Sequence, residues 1–273
     1  MQIVSSGMTD VGVKRTHNED NFLINDELHL YVVCDGMGGH AGGEIASAIA
    51  VHTIEEVLLN SIINPNQDQD RSDAFASISL KKQVLRAHIS EQDEDVNDIT
   101  IERLRHAVRL AGSRIHEVAQ NESRYRGMGT TCVAALIERR NLFIAHVGDS
   151  RAYLYRDGTI EQLTEDHSLV NERIQAGVLS PDEAKNHRLK NIITRSLGFN
   201  QDVDVDVQLR GIQKEDQVLL CSDGLCNLVE ATEMKESLTA YSPQKAAREL
   251  VKLACARGGD DNISVIIFKI SAL

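Results

Sequence analysis

The sequence predicts an α+β fold in which helices pack on antiparallel sheets. Short apolar runs of strand length recur along the chain, and polar turns join several of these runs. Three longer stretches carry apolar residues at the three- and four-residue spacing of a buried helix face. Strands that are joined by tight turns pair antiparallel, so a doubly wound parallel sheet is not expected.

The predicted strands are short runs rich in apolar residues. They are Gln2 to Met8, Asn21 to Ile24, Leu28 to Cys34, Thr131 to Ile137, Leu142 to Val147, Ala152 to Arg156, Gln217 to Cys221 and Ile263 to Ile270. Polar turns adjoin these runs at Asn25-Asp26, Arg139-Arg140-Asn141 and Arg156-Asp157-Gly158. Each turn predicts an antiparallel hairpin, because Asn, Asp and Gly tolerate the backbone angles that tight turns require.

Helices are predicted over Gly43 to Leu59, Ile101 to Ser123 and Pro243 to Ala256. In the second helix, one buried stripe is expected from Ile101, Leu104, Val108, Ile115 and Val118. Two polar segments, Asn64 to Asp73 and Glu91 to Asp98, are expected to be connections.

The apolar content of 42% can fill the core of one large domain or two small ones. We expect a single domain over residues 1–273, because motifs with the same kind of chemistry lie on both sides of the polar segments. Lys and Arg total 29 against 41 Asp and Glu, a net charge of -12. This sum would repel nucleic acid, so no such partner is expected, although a local basic patch is compatible with it.

No signal peptide and no membrane span are expected, because no apolar run reaches about eighteen residues. The cysteines are scattered and form no CxxC pair that would hold zinc; they are Cys34, Cys132, Cys221, Cys226 and Cys255. An odd number of cysteines mostly inside apolar runs predicts reduced core residues and a cytoplasmic protein. A single reactive thiol stays an alternative.

Acidic residues recur where apolar strands end or turn. They are Glu19 and Asp20 in RTHNED, Asp35 in YVVCDGMGGH, Asp149 in IAHVGDSRAY, Asp223 in VLLCSDGL and Asp261 in GGDDNISVIIF. One such Asp is usually a turn former or a helix cap, but the repetition indicates more. If the strand ends converge, the carboxylates repel one another, and a divalent cation is their natural partner.

The proposed ligands are oxygen atoms, which select Mg²⁺ or Mn²⁺ over zinc or copper. The glycines that follow Asp35 and Asp223 would let backbone carbonyls and waters approach a metal. Two ions bridged by one carboxylate can lower the pKa of a shared water and orient it for in-line attack on phosphorus.

An ordered set of motifs makes the chain resemble the bacterial metal-dependent protein phosphatases, the PPM or type 2C family. The motifs are RTHNED, DGMGGHAGGEIAS, MGTT, VGDSRAYLY, LTEDHS, SDGL and DDNISVI, and they run from about Met8 to Phe268. The resemblance implies a four-layer α-β-β-α sandwich, in which two antiparallel sheets are flanked by helices and the metals lie in a cleft at one end. It also implies hydrolysis of phosphoserine and phosphothreonine in proteins at a dinuclear Mn²⁺ or Mg²⁺ centre.

The same resemblance implies a role for each acid. Asp35 would bridge the two central metals, and the carbonyl of Gly36 would complete one of them. Asp223 and Asp261 resemble the ligands of the second metal. Asp261 is matched in preference to the preceding Asp260, because Asn262 follows it.

The remaining acids resemble more distant members of the metal site. Glu19 matches a residue that reaches the second metal through water, and Asp20 matches an acid that supports the ligands from behind. Asp149 would hold, with Asp223, a third and weaker ion found in many bacterial members. A simple tight turn at Asp149 is the alternative.

Arg15 is similar to the family's phosphate-binding arginine, whose planar fork can take two phosphate oxygens. Together with Asp35 and Asp223 it would carry catalysis, whereas an ordinary surface cation is the alternative. His40 would either order the substrate pocket or bond to the backbone of its glycine turn. Met37 stands where animal members carry a histidine acid, so protonation of the leaving oxygen must come from a water on the metals or from another group.

The segment of about 165–190, which includes Leu169 to Lys190, resembles the family's flap beside the active site, with an exposed helix pair as the alternative. The expected partners are phosphorylated proteins and an opposing Ser/Thr kinase, and the chain is expected to be a monomer. A catalytically silent binding member is one competing reading, and the intact acids weigh against it. A phosphatase of a small ester or of a partner-switching regulator is another, and RxxxED weighs against the regulator class.

Overall fold

The computed structural model describes residues 1–38, 42–63, 91–185 and 187–273. In chain order the strands are β1 (Gln2–Asp10), β2 (Asp20–Asn25), β3 (Leu30–Met37), β4 (Gly129–Thr130), β5 (Cys132–Glu138), β6 (Asn141–Val147), β7 (Arg151–Arg156), β8 (Thr159–Gln162), β9 (Asp206–Gly211), β10 (Gln217–Cys221) and β11 (Ile263–Ala272). The helices are α1 (Gly42–Ile63), α2 (Glu91–Asn121), α3 (Leu169–Gln175), α4 (Pro181–Lys185), α5 (Asp223–Cys226), α6 (Ala231–Ala240) and α7 (Pro243–Ala256).

The strands form two antiparallel sheets. One has the order β1-β11-β10-β7-β8, and the other has the order β2-β3-β5-β6-β9 with β4 paired to β3. The three predicted hairpins are confirmed, since β2 pairs with β3, β5 with β6 and β7 with β8. The first and last strands also pair, with Gln2 opposite Ala272 and Asp10 opposite Ile263.

The two sheets stack face to face because their strands are apolar on both sides. In β3, Tyr31 and Val33 enter the core between the sheets, while Val32 and Cys34 pack on the other face. This alternation follows from the two-residue period of a strand. The rings of Tyr31 and Phe268 stack across the core, with their centroids 4.1 Å apart.

Helices cover the outer face of each sheet. The stripe predicted for α2 is confirmed, because Leu104, Val108 and Ile115 are fully buried in the cluster shared with α1 and the second sheet. On the first sheet, Leu250 of α7 lies in one cluster with Val265. The predicted α+β class and the four-layer sandwich are therefore confirmed.

Several elements differ from expectation. The acidic stretch Glu91 to Asp98 is not a connection but the start of α2. Neither β8 nor β9 was predicted, because both are edge strands with little buried surface. Helix α6 was also missed, and Asn64 to Asp73 lies outside the described residues. Within the described ranges, no helix has the length and apolar character that a membrane crossing requires.

Candidate active site

The acid-bearing strand ends meet at one end of the sandwich. Asp20 at the start of β2 stands opposite Asp35 near the end of β3. Asp149 follows β6, Asp223 follows β10, and Asp261 precedes β11. The carboxyl of Asp35 lies within the electrostatic influence of the other four. The predicted convergence of these acids is therefore present in the structure.

The acids make one another costly to ionise. Burial raises the pKa of Asp35 well above its usual range, and the carboxylates of Asp20 and Asp223 raise it further. Burial likewise raises the pKa of Asp20 to about 7 and the pKa of Asp149 to about 7. A cation placed among these groups would reverse this effect, because it stabilises the charged form of each carboxyl.

Several carboxylate oxygens in this cluster are buried and unpaired. Among the described residues, Oε1 of Glu19 and Oδ1 of Asp20, Asp149 and Asp223 have no hydrogen-bond partner. A buried polar atom without a partner is expensive, and such atoms in native proteins usually have a ligand or water. Their chemistry fits a hard divalent cation.

The backbone around Asp35 is held by two buried threonines. The Asp35 amide donates to Oγ1 of Thr131 at 3.0 Å, and the Thr131 amide donates to the Asp35 carbonyl at 2.9 Å. The Thr130 hydroxyl donates to the same carbonyl at 2.8 Å. Both threonines are fully buried, so the MGTT motif supports the backbone of Asp35 from within the core.

Gly36 is required by close packing of the backbone. A Cβ at this position would lie 2.1 Å from the Gly43 carbonyl oxygen and 2.4 Å from that of Glu19. The Gly36 amide also donates to the Glu19 carbonyl at 3.2 Å. The glycine therefore joins the start of α1 to the RTHNED loop, a reason that the sequence analysis did not foresee.

Two polar residues organise the acids from behind. Ser222 donates its hydroxyl to Oδ2 of Asp20 at 2.8 Å. Asn262 accepts from the Glu19 amide at 2.8 Å and donates to the carbonyls of Val11 and His17. Ser222 lies in the SDGL motif and Asn262 lies in the DDNISVI motif. From the sequence, Asn262 served only to identify Asp261 as the matching acid.

Arg15 contacts the acid cluster directly. Its Nη2 donates to Oδ2 of Asp261 at 2.7 Å, and its side chain is half exposed. Asp260 turns away to the surface, where it pairs with Lys14 at 2.5 Å. Asp261 contributes to the electrostatic environment of Asp35, so the structure brings the second of the tandem acids into the cluster.

Asp149 does more than form a turn. Only 8% of its surface is exposed, and its carboxylate is influenced most strongly by Asp223 after burial itself. Its side chain therefore belongs to the acid cluster. Of the other predicted residues, His40 lies outside the described residues.

A network of two histidines, which the sequence analysis did not place in the site, lies behind Asp149. The rings of His146 and His167 stack with centroids 4.7 Å apart. Nδ1 of His167 accepts from the Gly148 amide at 3.1 Å, so its Nε2 carries the proton and donates to Asp206 at 3.1 Å. Arg195 donates to the same carboxylate at 3.2 Å.

The histidine network also contains residue types that commonly bind metal ions. In the part of the chain that the structure describes, the ligand atoms of His146, His167 and Asp206 lie within 4.8 Å of one another. However, the Arg195 guanidinium lies 3.2 Å from Nε2 of His167, and a cation there opposes metal binding. We interpret the network as a support for the loop that bears Asp149 rather than as a metal site. His146 and His167 stand in quoted motifs, whereas nothing in the sequence marks Asp206 or Arg195.

The first helix of the predicted flap begins two residues after His167. Ser168 accepts from the Asn171 amide at 3.4 Å and so caps the short helix α3. The Thr194 amide donates to the His167 carbonyl at 2.8 Å and closes the base of the segment. Two short helices, α3 and α4, lie within 165–190, as the alternative reading of an exposed helix pair also expected.

Comparison with known proteins supports the same family. Residues 13–255 match the profile of the family described as protein phosphatase 2C. A serine/threonine phosphatase stp from Listeria welshimeri is 38% identical over 265 residues, which cover 95% of this chain and 92% of that protein.

Solved structures of the fold are also similar. The Mycobacterium tuberculosis serine/threonine phosphatase PstP/Ppp superposes with a TM-score of 0.81 at 29% identity, covering 99% of both chains. A catalytic domain of PstP in complex with two manganese ions gives a TM-score of 0.78 at 28% identity, also over 99% of both chains. The chain therefore belongs to the protein phosphatase 2C family and is an enzyme of the serine/threonine protein phosphatase class.

Proposed function

We propose that this enzyme removes phosphate from phosphoserine and phosphothreonine in proteins with the help of Mn²⁺ or Mg²⁺. One observation carries the proposal: five acids converge at one end of the sandwich, and four acidic side chains there have buried oxygens without partners among the described residues. A cluster of this charge needs cations in order to remain ionised.

Two central ions would be held by Asp35, Asp223 and Asp261, with the Gly36 carbonyl completing one of them. When bound, such ions lower the pKa of a water and draw negative charge from the phosphoryl oxygens. Asp35 is the best candidate for the shared ligand, because four other acids of the cluster act on its carboxyl, namely Asp20, Asp149, Asp223 and Asp261. The hydrogen bonds from Thr130 and Thr131 hold its backbone in place for this role.

The other acids would have supporting roles. Glu19 would act on an ion through water, and Asp20 would hold the ligands from behind, as its hydrogen bond from Ser222 suggests. Asp149 would hold a third, weaker ion together with Asp223. The burial of Asp149 and its unpaired Oδ1 support this assignment.

The chain's own residues would also bind and orient the substrate. Arg15 has five N–H donors, and its contact with Asp261 leaves others available for phosphate oxygens. Binding there would hold the phosphorus beside the acid cluster. His40 is proposed as a further substrate contact on the strength of its position in GMGGH alone.

The domain organisation, location and partners of the protein are also proposed. We infer one domain over residues 1–273 with a flap at about 165–190, because β1 and β11 join the two ends of the chain in one sheet. Five free cysteines support a cytoplasmic location. A monomer and an opposing Ser/Thr kinase follow from the family resemblance.

A panel of phosphoserine, phosphothreonine and phosphotyrosine peptides, assayed with Mn²⁺, with Mg²⁺ and after chelation, tests the proposed function. We expect hydrolysis of the first two peptides, its loss on chelation and its return with either ion. Full activity after exhaustive chelation, or best recovery with zinc, would contradict the metal assignment.

The same panel addresses the competing readings. A protein that binds the phosphopeptides without turnover would be a silent binding member. A protein that hydrolyses a small ester but none of the peptides would be a phosphatase with a different substrate class.

A further inference from the structure

A cavity of about 430 Å³ is lined in part by Met37, which lies two residues after Asp35. Its apolar wall is formed by Met37, Ile193, Phe199 and Val203. We call this cavity the Phe199 pocket. Its apolar wall suits a group with apolar surface rather than a phosphate.

Strand β3 connects the Phe199 pocket to the acid cluster, because it carries both Met37 and Asp35. Met37 follows Gly36 in β3, which places its Cα within about 7 Å of the Asp35 Cα at the rise of a strand. Strand β4 pairs with this end of β3. Reciprocal amide-to-carbonyl bonds between Thr130 and Leu197, at 3.1 and 2.9 Å, then fasten the wall segment 193–204 to β4.

Phe199 is exposed and follows a backbone turn that is held in place. Its side chain has 74% exposure, although Leu197 two residues before it is fully buried. Gly198 has a φ of +93°, and a Cβ there would lie 2.3 Å from the Ile115 side chain. His116 donates from Nδ1 to the Gly198 carbonyl at 3.1 Å. The turn is therefore fixed against α2, and it presents the aromatic ring to solvent.

The rim of the pocket carries negative charge. The side chains of Asp202 and Asp204 are 83% and 88% exposed, and Arg109 approaches them only to 3.7 and 3.9 Å. The rim cation Arg195 is already engaged by Asp206. An acidic side chain in the pocket would be repelled by the exposed carboxylates of Asp202 and Asp204, whereas an apolar one would bury the Phe199 ring.

We propose that the Phe199 pocket receives an apolar side chain that lies one or two residues from the phosphorylated residue of a protein substrate, and that it disfavours an acidic one. The spacing follows from the rise of about 3.3 Å per residue in an extended peptide. The proposal rests on the proposed function, since it assigns a specificity element to the same site. Because the backbone of the pocket wall is already held in place, little conformational entropy is lost when a substrate side chain binds.

The test uses phosphoserine peptides with Leu, Ala or Glu at each position from two before to two after the phosphoserine. The wild-type enzyme is compared with Phe199→Ala, Phe199→Tyr and a distant aromatic control, Tyr241→Ala. At one position we expect kcat/KM for Leu to exceed that for Ala by about tenfold, with Glu poorest. Phe199→Ala should reduce the Leu preference to about twofold, and both Phe199→Tyr and the control should retain it.

p-Nitrophenyl phosphate, which has no flanking residues, separates the outcomes. Its turnover should be unchanged in Phe199→Ala. Equal loss with this ester and with the peptides, or an undiminished Leu preference in Phe199→Ala, would overturn the proposal. Loss of a dimer on light scattering with unchanged selectivity would do so as well, because the occupant would then be a second copy of the chain. Wild-type hydrolysis of the ester alone would instead contradict the proposed function.

Discussion

Arg15 donates a hydrogen bond from Nη2 to Oδ2 of Asp261, 2.7 Å away, and so connects the loop before β2 with the turn before β11. The contact puts a permanent cation at the edge of the acid cluster. Arg15 therefore has two binding partners, the Asp261 carboxylate and, in the proposed function, the phosphate of a substrate. These two roles make different predictions for its removal.

We expect Arg15→Ala to raise KM for phosphopeptides by about tenfold with a smaller change in kcat, because a guanidinium grips phosphate in the ground state as well as in the transition state. Affinity for Mn²⁺ should stay the same or increase, since a competing cation has been removed from Asp261. Steady-state kinetics and calorimetry measure the two quantities.

The neighbouring cation Lys14 supplies the control, because it pairs with Asp260 outside the cluster. Lys14→Ala should change neither KM nor metal affinity. An unchanged KM with a collapsed kcat in Arg15→Ala would place Arg15 on charge that develops during transfer.

Asp35→Asn should separate catalysis from folding. The pKa of Asp35 is raised well above its usual range by burial and by its acidic neighbours, so ionising its carboxyl costs free energy in the metal-free protein. A neutral amide of the same shape should then leave the melting temperature of the metal-free protein unchanged or higher. The stabilisation by Mn²⁺ should be lost, and kcat should fall by orders of magnitude.

Thermal melting with and without Mn²⁺ measures this effect. Asp157→Asn is a matched control, because Asp157 lies in the β7–β8 turn at the other end of the strand from Arg151 and has a positive φ that Asn tolerates. A near-native rate in Asp35→Asn would exclude a bridging role for Asp35.

Much of this architecture is visible in the sequence because its signals are local. The strand that carries Asp35 and the turn at Asn25-Asp26 are each encoded by consecutive residues, so they could be predicted. The pairing of β1 with β11 joins opposite ends of the chain, and no local pattern encodes it. Edge strand β8 has too little buried surface to produce an apolar alternation.

The active site likewise combines residues that local sequence motifs reveal with contacts that they do not. Its acids could be found because each follows or precedes a strand in a recognisable motif. The partners that hold them could not, since the contact of Ser222 with Asp20 and that of Asp206 with His167 join residues far apart in sequence. Local spacing also says nothing about side-chain direction, which is what separates Asp261 from Asp260.

His167 is expected to position the loop that bears Asp149. Removing its ring leaves the buried Gly148 amide without an acceptor, which costs about 1–3 kcal/mol. His167→Ala should therefore lower the melting temperature and weaken the loosest Mn²⁺ binding event, with the tighter events retained. Calorimetry and melting curves measure both changes.

The exposed His52 on α1 gives the control for the His167 prediction, and His52→Ala should alter neither quantity. A purely structural role would lower the melting temperature of His167→Ala while all Mn²⁺ binding events stayed at wild-type strength. That outcome would contradict the positioning role.

Asp149→Ala is expected to preserve the fold and the tighter metal sites while it removes phosphopeptide hydrolysis. The Asp149 side chain is nearly buried, has an unpaired Oδ1 and lies under the influence of Asp223, so it faces the cluster rather than solvent. A site with few protein carboxylates keeps several waters and binds weakly. Because Met37 stands in place of a histidine acid, an ion held by Asp149 would supply the acidic water that the leaving oxygen needs. Mn²⁺ titration by calorimetry, with peptide turnover measured in parallel, should show joint loss of the weakest event and of turnover, whereas full turnover across the metal range would return Asp149 to a turn residue.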